Sequence, residues 1–328
     1  MSPALPTRKK FKNIRKCFSE TYRSVWNKER KGGVSQKICF DPKEWFVEAA
    51  FPGIRRCKRD IFSLKKEIFK GKSKFQDIHI FESPGFGKML SLDGIIQFSQ
   101  SDEFIYHEMI VHPLLISHKN PKRFLVVGGG DGGVLREASR HPLDELYMVD
   151  IDREVVELSQ KYLPFVSRGS FKDKRLNLLF ANGKNFIQEN KNFFDAIVVD
   201  STDPVGPGKA LFELNFYKSV YAALRKDGVA VFQLGPFLDF DLIVKGIAGK
   251  LKKLFKFVSP LRLPMPSYSS GCEYCFLLAA KTTDPAKINL KEIKQRAQQR
   301  LGEKLSALKY YSPQIHQASL IMPRIWQI

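Results

Sequence analysis

The sequence contains no apolar run long enough to span a lipid bilayer, which excludes a membrane-spanning protein as a class. The basic start around Arg8, Lys9 and Lys10 is not followed by the apolar segment of a secretory signal. Cysteine is also scarce, and the five residues are odd in number and scattered, which is typical of a reducing compartment. We therefore expect a soluble, cytoplasmic protein without a transmembrane segment.

Sequence patterns typical of metal-binding sites are also scarce. Cys272 and Cys275 have C-x-x-C spacing, but no second cysteine pair and no nearby histidine completes a zinc site. The pair stands at the start of an apolar run, residues 276–280, so we expect it to belong to a strand. The sequence therefore predicts no metal site.

Negative charge is in short supply. Asp and Glu number 34 against 54 Lys and Arg, which gives a formal net charge of +20. Such an excess is often found in nucleic-acid-binding proteins, but much of it is concentrated at the chain ends and no aromatic RNA-binding motif accompanies it. We expect a solvated basic surface and no specific nucleic-acid partner. A basic RNA-binding protein that kept the fold without its chemistry stays open as an alternative.

Two segments precede the largest part of the chain. Residues 1–37 form a basic extension with aromatic residues at roughly helical spacing, which fits a disordered segment or an amphipathic helix. Its charge resembles an organelle transit peptide and equally a bacterial basic extension. Residues 38–119 carry short apolar runs separated by turn signals, among them the hairpin marker Asp93-Gly94. They predict a small N-terminal β domain whose last element is a helix near residues 104–118.

The remaining part, residues 120–328, is organised around its first apolar run and the glycine cluster that follows. An amphipathic segment comes next, and a second apolar run ends on Asp150. This order of strand, tight turn, helix and strand is the first unit of a parallel, doubly wound α/β sheet. Gly128, Gly130 and Gly133 fit the G-x-G-x-x-G pattern, and an acid about twenty residues on is placed to bind ribose hydroxyls. We therefore predict a Rossmann-like domain that binds a nucleoside.

Asp131 is unusual in such a turn. In a dinucleotide site the turn offers backbone N–H groups and a helix N-terminus to a pyrophosphate, which a carboxylate would repel. One explanation is structural, since an Asp at this place can cap the following helix. The other is that the nucleoside carries a positive tail, which indicates a sulfonium nucleoside rather than NAD.

Further polar residues follow the later predicted strands. Ligands of doubly wound folds bind at the carboxyl ends of the strands. The residues at these positions are Asp131, Asp150, Asn182, Asp200 and Gln233. Their shared placement predicts a single site. Two late strands, near residues 257–261 and 274–280, are expected to form an antiparallel edge of the sheet.

Several stretches together resemble the spermidine synthase family of polyamine aminopropyltransferases. They are residues 75–78 (FQDI), 92–97 (LDGIIQ), 102–109 (DEFIYHEM), 128–133 (GGGDGG), 200–207 (DSTDPVGP) and 308–311 (LKYY), together with His316. The resemblance covers roughly residues 44–323 and leaves only the basic extension outside. It implies a Rossmann-like, methyltransferase-type doubly wound sheet with a small N-terminal β domain, and a homodimer or homotetramer.

The resemblance implies transfer of the aminopropyl group of decarboxylated S-adenosylmethionine to putrescine, which gives spermidine and methylthioadenosine. The sulfonium nucleoside would be a co-substrate, the diamine would be the second small-molecule partner, and no cofactor would be tightly bound. The decarboxylated donor ends in an ammonium group, whereas ordinary S-adenosylmethionine carries a carboxylate beside its amine. Asp131 would favour the first and penalise the second by about 3–5 kcal/mol, by analogy with broken buried ion pairs.

The resemblance also implies roles for individual residues. Asp200 would deprotonate the diamine, helped by Tyr106 and by hydrogen bonds of Ser201, because an alkyl ammonium with a pKa of about 10 needs a base at neutral pH. The positions that match donor contacts are Gln76, His107 and Asp131 at the aminopropyl end, Asp150 and Gln97 at the ribose, and Asn182 and Gly183 at the adenine. The positions that match diamine contacts are Asp203, Gln233 and Tyr268.

Some positions depart from the family pattern. Asp150 stands where the family usually has Glu, and Asn182 replaces the usual Asp at the adenine. Gln233 precedes residues 234–236 (LGP), where the family usually has Gly-Glu, and Phe51 stands where a Trp often lines the diamine pocket. The acceptor therefore stays open between putrescine, cadaverine, a longer diamine and spermidine. An S-adenosylmethionine-dependent amine N-methyltransferase of the same fold is a further alternative.

Overall fold

The fold is described from a computed structural model, over residues 43–49, 60–201, 211–237, 241–268 and 273–324. The predictions made for the basic extension, Phe51, Asp203 and Cys272 lie outside these residues. Within the described part, no helix combines the length and the apolar character that a membrane crossing would need.

The N-terminal part contains two antiparallel sheets. Strands β1 (Trp45–Val47) and β2 (Ile61–Ser63) form a two-stranded ribbon. Strands β3 (Lys66–Lys72), β4 (Asp77–Ser83), β5 (Gly87–Leu92) and β6 (Ile95–Ser99) form a four-stranded sheet in chain order. The turn between β5 and β6 places Asp93 and Gly94 at positive φ, 51° and 80°, as a two-residue hairpin loop of this kind requires. The predicted small β domain is therefore confirmed.

Helix α1 (Glu103–Ser117) follows these sheets and is buried at 14 of its 15 residues. The sequence pattern predicted one apolar face, but Ile110 and Leu114 pack into the same core as Val126 and Val198 of the large sheet. The polar residues of the helix are consequently enclosed as well and need partners inside the protein. The boundary between the two domains at residues 119 and 120 stays a prediction. Helix α1, which lies before that boundary, shares its core with the large sheet.

Within the described residues, seven strands form the large sheet: β7 (Arg123–Gly128), β8 (Glu145–Asp150), β9 (Leu176–Phe180), β10 (Phe194–Asp200), β11 (Leu224–Pro236), β12 (Phe257–Pro264) and β13 (Glu273–Ala280). They lie in the order β12-β13-β11-β10-β7-β8-β9. Strands β7 to β11 are parallel, and β13 is antiparallel to both of its neighbours, β11 and β12. This single reversed strand near one edge confirms the predicted methyltransferase-type sheet.

Helices cover the sheet on both sides. Their bounds are α2 (Gly133–Ser139), α3 (Arg153–Tyr162), α4 (Pro164–Ser167), α5 (Gly183–Glu189), α6 (Leu214–Ala223), α7 (Asp241–Lys252), α8 (Leu290–Leu301) and α9 (Pro313–Ser319). The central strands read as continuous apolar runs because both of their faces are buried. Val126 and Val198 face one apolar core, and Leu125 and Ile197 face the other.

Candidate active site

The glycine turn after β7 lies directly against the end of β10. Gly128 pairs with Asp200 in the sheet and has a φ of +85°. A Cβ atom at Gly128 would stand 2.0 Å from the carbonyl oxygen of Asp200, and the next residue, Gly129, donates its N–H to that oxygen at 3.0 Å. Only glycine permits this approach, which brings the turn beside the Asp200 side chain.

The last glycine of the motif makes room for a side chain of α1. A Cβ atom at Gly133 would lie 2.3 to 2.5 Å from three atoms of the His107 ring. His107 is buried, with 1% of the residue exposed, and it lies against the start of α2. The last glycine of the G-x-G-x-x-G pattern is therefore needed here to leave room for the His107 ring, while the first allows the tight turn.

Asp131 occupies the turn between these glycines, and its contacts support the structural explanation, while the binding of a positive tail stays a prediction. Its Oδ1 accepts the N–H of Gly133 at 2.7 Å, so it does act as a cap of α2. The same Oδ1 lies 3.4 Å from Nε2 of His107. Burial by itself would raise the pKa of Asp131, but His107 and the Gly133 N–H outweigh it and hold the pKa below its usual range. Asp131 is therefore an anion at neutral pH.

His107 stands between two carboxylates. Its Nδ1 lies 2.7 Å from Oε2 of Glu103, one helical turn earlier, and its Nε2 faces Asp131. Burial disfavours a charge on the ring, but the two carboxylates raise the pKa of His107 to about 10. The sequence did not single out Glu103, although a Glu four residues before a His on a helix is a recognisable signal.

Asp200 ends β10 and has a different environment. Tyr106 donates its hydroxyl to Oδ1 of Asp200 at 2.5 Å. Removal from water raises the pKa of Asp200 to about 6, the charge of Asp131 adds to this rise, and the Tyr106 hydrogen bond opposes it. A carboxylate with this pKa is ionised at neutral pH and close enough to it to exchange a proton. The hydroxyl Oγ of Ser201 is buried and makes no hydrogen bond within the described residues.

The predicted ribose acid lies at the end of β8. Asp150 accepts the N–H of Asp152 at 2.8 Å, and its Oδ2 would lie 3.0 Å from a Cβ atom at Gly130. Burial raises the pKa of Asp150 to about 6. Gln76, which the resemblance assigned to the aminopropyl end, donates to Oδ2 of Asp152 at 2.9 Å, where Ser73 also donates at 2.6 Å. This contact ties the N-terminal sheet to the start of α3.

The predicted adenine positions lie at the start of α5. Asn182 caps this helix, since its Oδ1 accepts the N–H groups of Lys184 and Asn185 at 3.0 and 3.3 Å. Gly183 packs against β7, where an added Cβ atom would stand 2.5 Å from Cγ1 of Val127. Both positions therefore lie beyond the carboxyl ends of β7 and β9, on the same edge of the sheet as Asp150.

Aromatic rings form a wall beside Asp200. The ring of Tyr106 meets Phe276 at 5.0 Å and both Tyr268 and Tyr274 at 5.8 Å, in edge-to-face arrangements. Tyr268 donates its hydroxyl to the backbone oxygen of Gln97, so these two predicted positions lie together. Gln97 also uses its own side chain locally, on the carbonyl of Ile95 at 3.1 Å.

Gln233 joins the same wall through a residue that sequence reasoning missed. Its Nε2 donates to the hydroxyl of Tyr274 at 2.7 Å. Tyr274 stands on the antiparallel strand β13 opposite Pro236. The sequence gives only a weak signal for Tyr274, because an aromatic residue in a strand reaches the site only if that strand pairs with the one that carries Gln233. Asp203, the remaining predicted diamine contact, lies outside the described residues.

A separate group of side chains that could bind a metal lies at the other end of the strands, near the start of β10. Ligand atoms of His118, Asp195 and Asp227 lie within 4.8 Å of one another. Asp195 already accepts two backbone N–H groups at the start of β7, both at 2.9 Å. His118 accepts the N–H of Asn120 at Nδ1, so the neutral ring carries its proton on Nε2 and has no free lone pair for a metal. Burial lowers the pKa of His118, so the group is better described as a neutral His118 whose Nε2 lies 3.4 Å from Oδ2 of Asp227.

Comparisons with known proteins agree with this architecture. Two family models match: the spermine/spermidine synthase domain at residues 103–292 and the spermidine synthase tetramerisation domain at residues 44–100. The chain is 42% identical over 286 residues to the polyamine aminopropyltransferase of Caldicellulosiruptor saccharolyticus, covering 86% of this chain and 96% of that one. It is 41% identical over 288 residues to the polyamine aminopropyltransferase of Clostridioides difficile, covering 85% and 96%.

Solved structures give the same result. A crystal structure of spermidine synthase in complex with the transition state analogue AdoDATO matches with a TM-score of 0.78 and 33% identity, covering 90% of this chain and 96% of that chain. The spermidine synthase of Thermotoga maritima matches with a TM-score of 0.76 and 31% identity, covering 90% and 95%.

Proposed function

The chain belongs to the spermine/spermidine synthase family, and from this premise we propose that it is a polyamine aminopropyltransferase. It transfers the aminopropyl group of decarboxylated S-adenosylmethionine to putrescine and releases spermidine and methylthioadenosine. The relatives named polyamine aminopropyltransferase and the spermidine synthase bound to a transition state analogue support this reaction.

The observation that carries the proposal is an anionic Asp131 in the glycine turn, beside the carboxylate of Asp200. A Cβ atom at Gly129, the neighbour of this turn, would stand 3.4 Å from Oδ2 of Asp200. One carboxylate is placed for the ammonium tail of the donor, and the other is placed for the incoming amine. A phosphorylated dinucleotide would meet two negative charges at this point and be repelled.

The chemistry is an in-line displacement at the carbon next to the sulfonium. A bond forms between the amine nitrogen and this carbon, the carbon–sulfur bond breaks, and its electron pair neutralises the sulfur. The leaving group needs no acid, so the protein has to align the reactants and remove the proton of the amine. Asp200 takes this proton, and its raised pKa lessens the mismatch with an ammonium of pKa about 10. Tyr106 holds the carboxylate in place through its hydrogen bond.

The other roles follow the resemblance to the family. Asp131 holds the aminopropyl end, with His107 and Gln76 as further donor contacts, and the side chain of Gln76 also donates to Asp152 at the start of α3. The ribose and adenine are bound by Asp150, Gln97, Asn182 and Gly183, and the diamine by Asp203, Gln233 and Tyr268, with Ser201 next to the base. No cofactor is tightly bound, the protein is cytoplasmic, and it assembles as a homodimer or homotetramer through its N-terminal sheets.

A second candidate is aminopropyl transfer to a different amine. It is favoured by residues 234–236, which continue β11 instead of forming a loop with a carboxylate. Leu234 is buried in the core at 1% exposure, and Gly235 adopts a φ of 115° at an irregularity in the pairing with β13. Residues 234–236 therefore offer no carboxylate where the family usually has one.

A panel of acceptors tests both candidates. Putrescine, cadaverine, a longer diamine and spermidine are each offered with the decarboxylated donor, and methylthioadenosine release is measured. Putrescine is expected to have the highest kcat/KM; a higher value for another amine supports the second candidate. Calorimetry with the decarboxylated and the ordinary nucleoside completes the test, because tighter binding of the carboxylated form would indicate an N-methyltransferase and refute aminopropyl transfer.

A further inference from the structure

We propose that Glu103 is a positioning residue that holds His107 as an imidazolium, and that this cation keeps the carboxylates of the donor site ionised and Asp131 aimed at the ammonium tail. The inference deepens the proposed function and rests on it for its ligand. Glu103 itself does not touch the reacting atoms; it acts through His107.

The geometry leaves His107 no hydrogen-bond acceptor role. Nδ1 is 2.7 Å from a Glu103 oxygen, and Nε2 is 3.4 Å from an Asp131 oxygen. A neutral imidazole can donate from one nitrogen only, so one of these carboxylates would face a lone pair. A doubly protonated ring satisfies both. The other faces of the ring meet Gly133 of α2 and the ring of Tyr106, neither of which brings a charge.

Glu103 is locked in its position by Arg136 of α2. The guanidinium binds it with two parallel hydrogen bonds, Nη1 to Oε1 at 3.0 Å and Nη2 to Oε2 at 2.8 Å. Arg136 is fixed in turn by the carbonyl of Val166 at 2.7 Å and by Glu137 at 2.5 Å. Both members of the Glu103–Arg136 pair are buried, with 4% and 6% of their side chains exposed. Such a bidentate pair is geometrically specific, so Glu103 presents its Oε2 to His107 in one orientation.

The charges explain why the cation is needed. The charge of Asp131 raises the pKa of both Asp150 and Asp200, and Asp150 adds to the rise at Asp200; neighbouring carboxylates without a counter-charge tend to share protons. A cationic His107 offsets one of the three negative charges and lowers the pKa of both Asp131 and Asp200. It also engages Oδ1 of Asp131 together with the Gly133 N–H, so in this proposal Oδ2 is the oxygen that meets the ammonium tail.

The protonation state can be measured directly on the unaltered protein. The chain has six histidines, and ¹⁵N-histidine NMR distinguishes an imidazolium from either neutral tautomer. The His107 signals are assigned by their loss in His107→Gln. We expect His107 to remain doubly protonated from pH 6 to pH 9. Titration of the wild-type ring near pH 6.5, or a neutral ring at pH 8, would overturn the proposal without any reference to catalysis.

The role of Glu103 is tested with Glu103→Gln. The variant is expected to bring the His107 titration into the range of pH 6 to 8 and to weaken binding of the decarboxylated donor about tenfold or more, as for a lost hydrogen bond to a charged group. Methylthioadenosine lacks the ammonium tail, so its affinity should change by less than about twofold. A merely structural effect would weaken both ligands alike, and that outcome would refute the positioning role.

Glu108→Gln is the matched control, since Glu108 is a buried glutamate of the same helix that faces away from His107. It accepts the backbone N–H groups of Lys309, Tyr310 and Tyr311 instead. Its donor affinity and His107 titration should equal those of the wild type. If Glu103→Gln does not fold, the wild-type titration still decides the protonation state. Absence of aminopropyl transfer with every amine would refute the proposed function and leave the NMR result standing.

Discussion

The two ends of the site each contain an aspartate removed from water, and the two aspartates behave in opposite ways. Asp131, at the proposed donor end, is next to His107 and the Gly133 N–H, and these hold its pKa below the usual range despite burial. Asp200, at the proposed acceptor end, has a tyrosine hydroxyl as its partner, and its pKa is raised to about 6. The two environments thus suit identical side chains to different tasks. A permanent anion suits the binding of an ammonium, and a carboxylate near its pKa suits the transfer of a proton.

The largest effect is expected at the acceptor end. Asp200→Asn removes the proton acceptor, so kcat should fall by about 10² to 10⁴, the usual contribution of a general base. Methylthioadenosine release under saturating substrates measures it. Asp144→Asn, an exposed carboxylate paired with Lys122, is the matched control and should keep full activity. Near-normal turnover of folded Asp200→Asn would show that Asp200 is not the base.

The same variant should not lose stability at pH 8. The pKa of Asp200 in the folded protein is raised to about 6, above the value of about 3.9 for an unfolded chain. The folded protein therefore binds more protons between these values, and the contribution of this group to stability is lost as the pH rises through 6. Asn carries no such cost, so a thermal midpoint equal to or above that of the wild type is expected.

The next largest effect is expected at the donor end. Asp131→Asn removes the anion proposed to face the ammonium, at a cost of about 3–5 kcal/mol by analogy with broken buried pairs, or a loss of roughly 10² to 4 × 10³ in donor affinity. Methylthioadenosine affinity should change little, and the preference over ordinary S-adenosylmethionine should shrink. Calorimetry with the three nucleosides checks this. Equal losses for all three would mean that Asp131 only shapes the turn.

The contrast between the two aspartates also predicts a pH profile. With both substrates well below their KM, the rate reports groups of the free enzyme. Its acidic limb should have an apparent pKa near 6, because Asp200 and Asp150 both have pKa values of about 6, and since two groups gain protons, the rate should fall by more than tenfold per pH unit well below that. The alkaline limb belongs to the amine of the substrate, near pH 10. A flat profile between pH 5 and 8 would contradict the raised pKa of Asp200.

A smaller effect is expected from Tyr106→Phe. The hydroxyl of Tyr106 stabilises the ionised form of Asp200 and lowers its pKa. Its loss should therefore move the acidic limb upward from pH 6 and lower kcat several-fold, as for a single hydrogen bond to a charged group. The position of the limb separates this effect from a general disturbance of the site, which would leave the limb where it is.

The smallest kinetic effect is expected from Glu108→Gln. Glu108 is a carboxylate removed from water like Asp131 and Asp200, but we expect its role to be purely structural. Three backbone N–H groups, those of Lys309, Tyr310 and Tyr311, bind it at 2.7 to 2.9 Å. The free energy of unfolding should fall by about 1.5–3 kcal/mol, since one hydrogen bond to a charged acceptor is lost. Denaturant titration measures this loss. A change in KM for either substrate would show that the C-terminal segment shapes the site.

Most of the fold could be predicted from the sequence because it depends on neighbours in the chain. The apolar runs of β7 and β8, the glycine turn and the Asp93-Gly94 hairpin are local patterns, and each formed where it was expected. The methyltransferase-type sheet required more than these patterns and was implied by the resemblance to a family, and the order of the strands is given by the structure.

Individual site contacts were less predictable, because they join residues that are far apart in the chain. The carboxyl ends of parallel strands meet at one edge, so Asp150 and Asp200 were expected to lie in one site from their position alone. Gln76 was assigned to the donor tail, whereas its side chain binds Asp152, and Tyr274 was not singled out at all. These contacts join segments tens of residues or more apart, and no periodicity in either segment records them.

The sequence by itself determined the strands, the glycine turn and the carboxyl group at residue 131, because strand periodicity, glycine conformation and residue type are properties of the chain. Only the tertiary structure decided how each charge is used. The packing of α1 against the turn brings Glu103, His107 and Asp131 into line, and the pairing of β7 with β10 leaves Asp200 with Tyr106 as its partner. A pKa depends on burial and on neighbouring charges, and both are set when distant elements pack together.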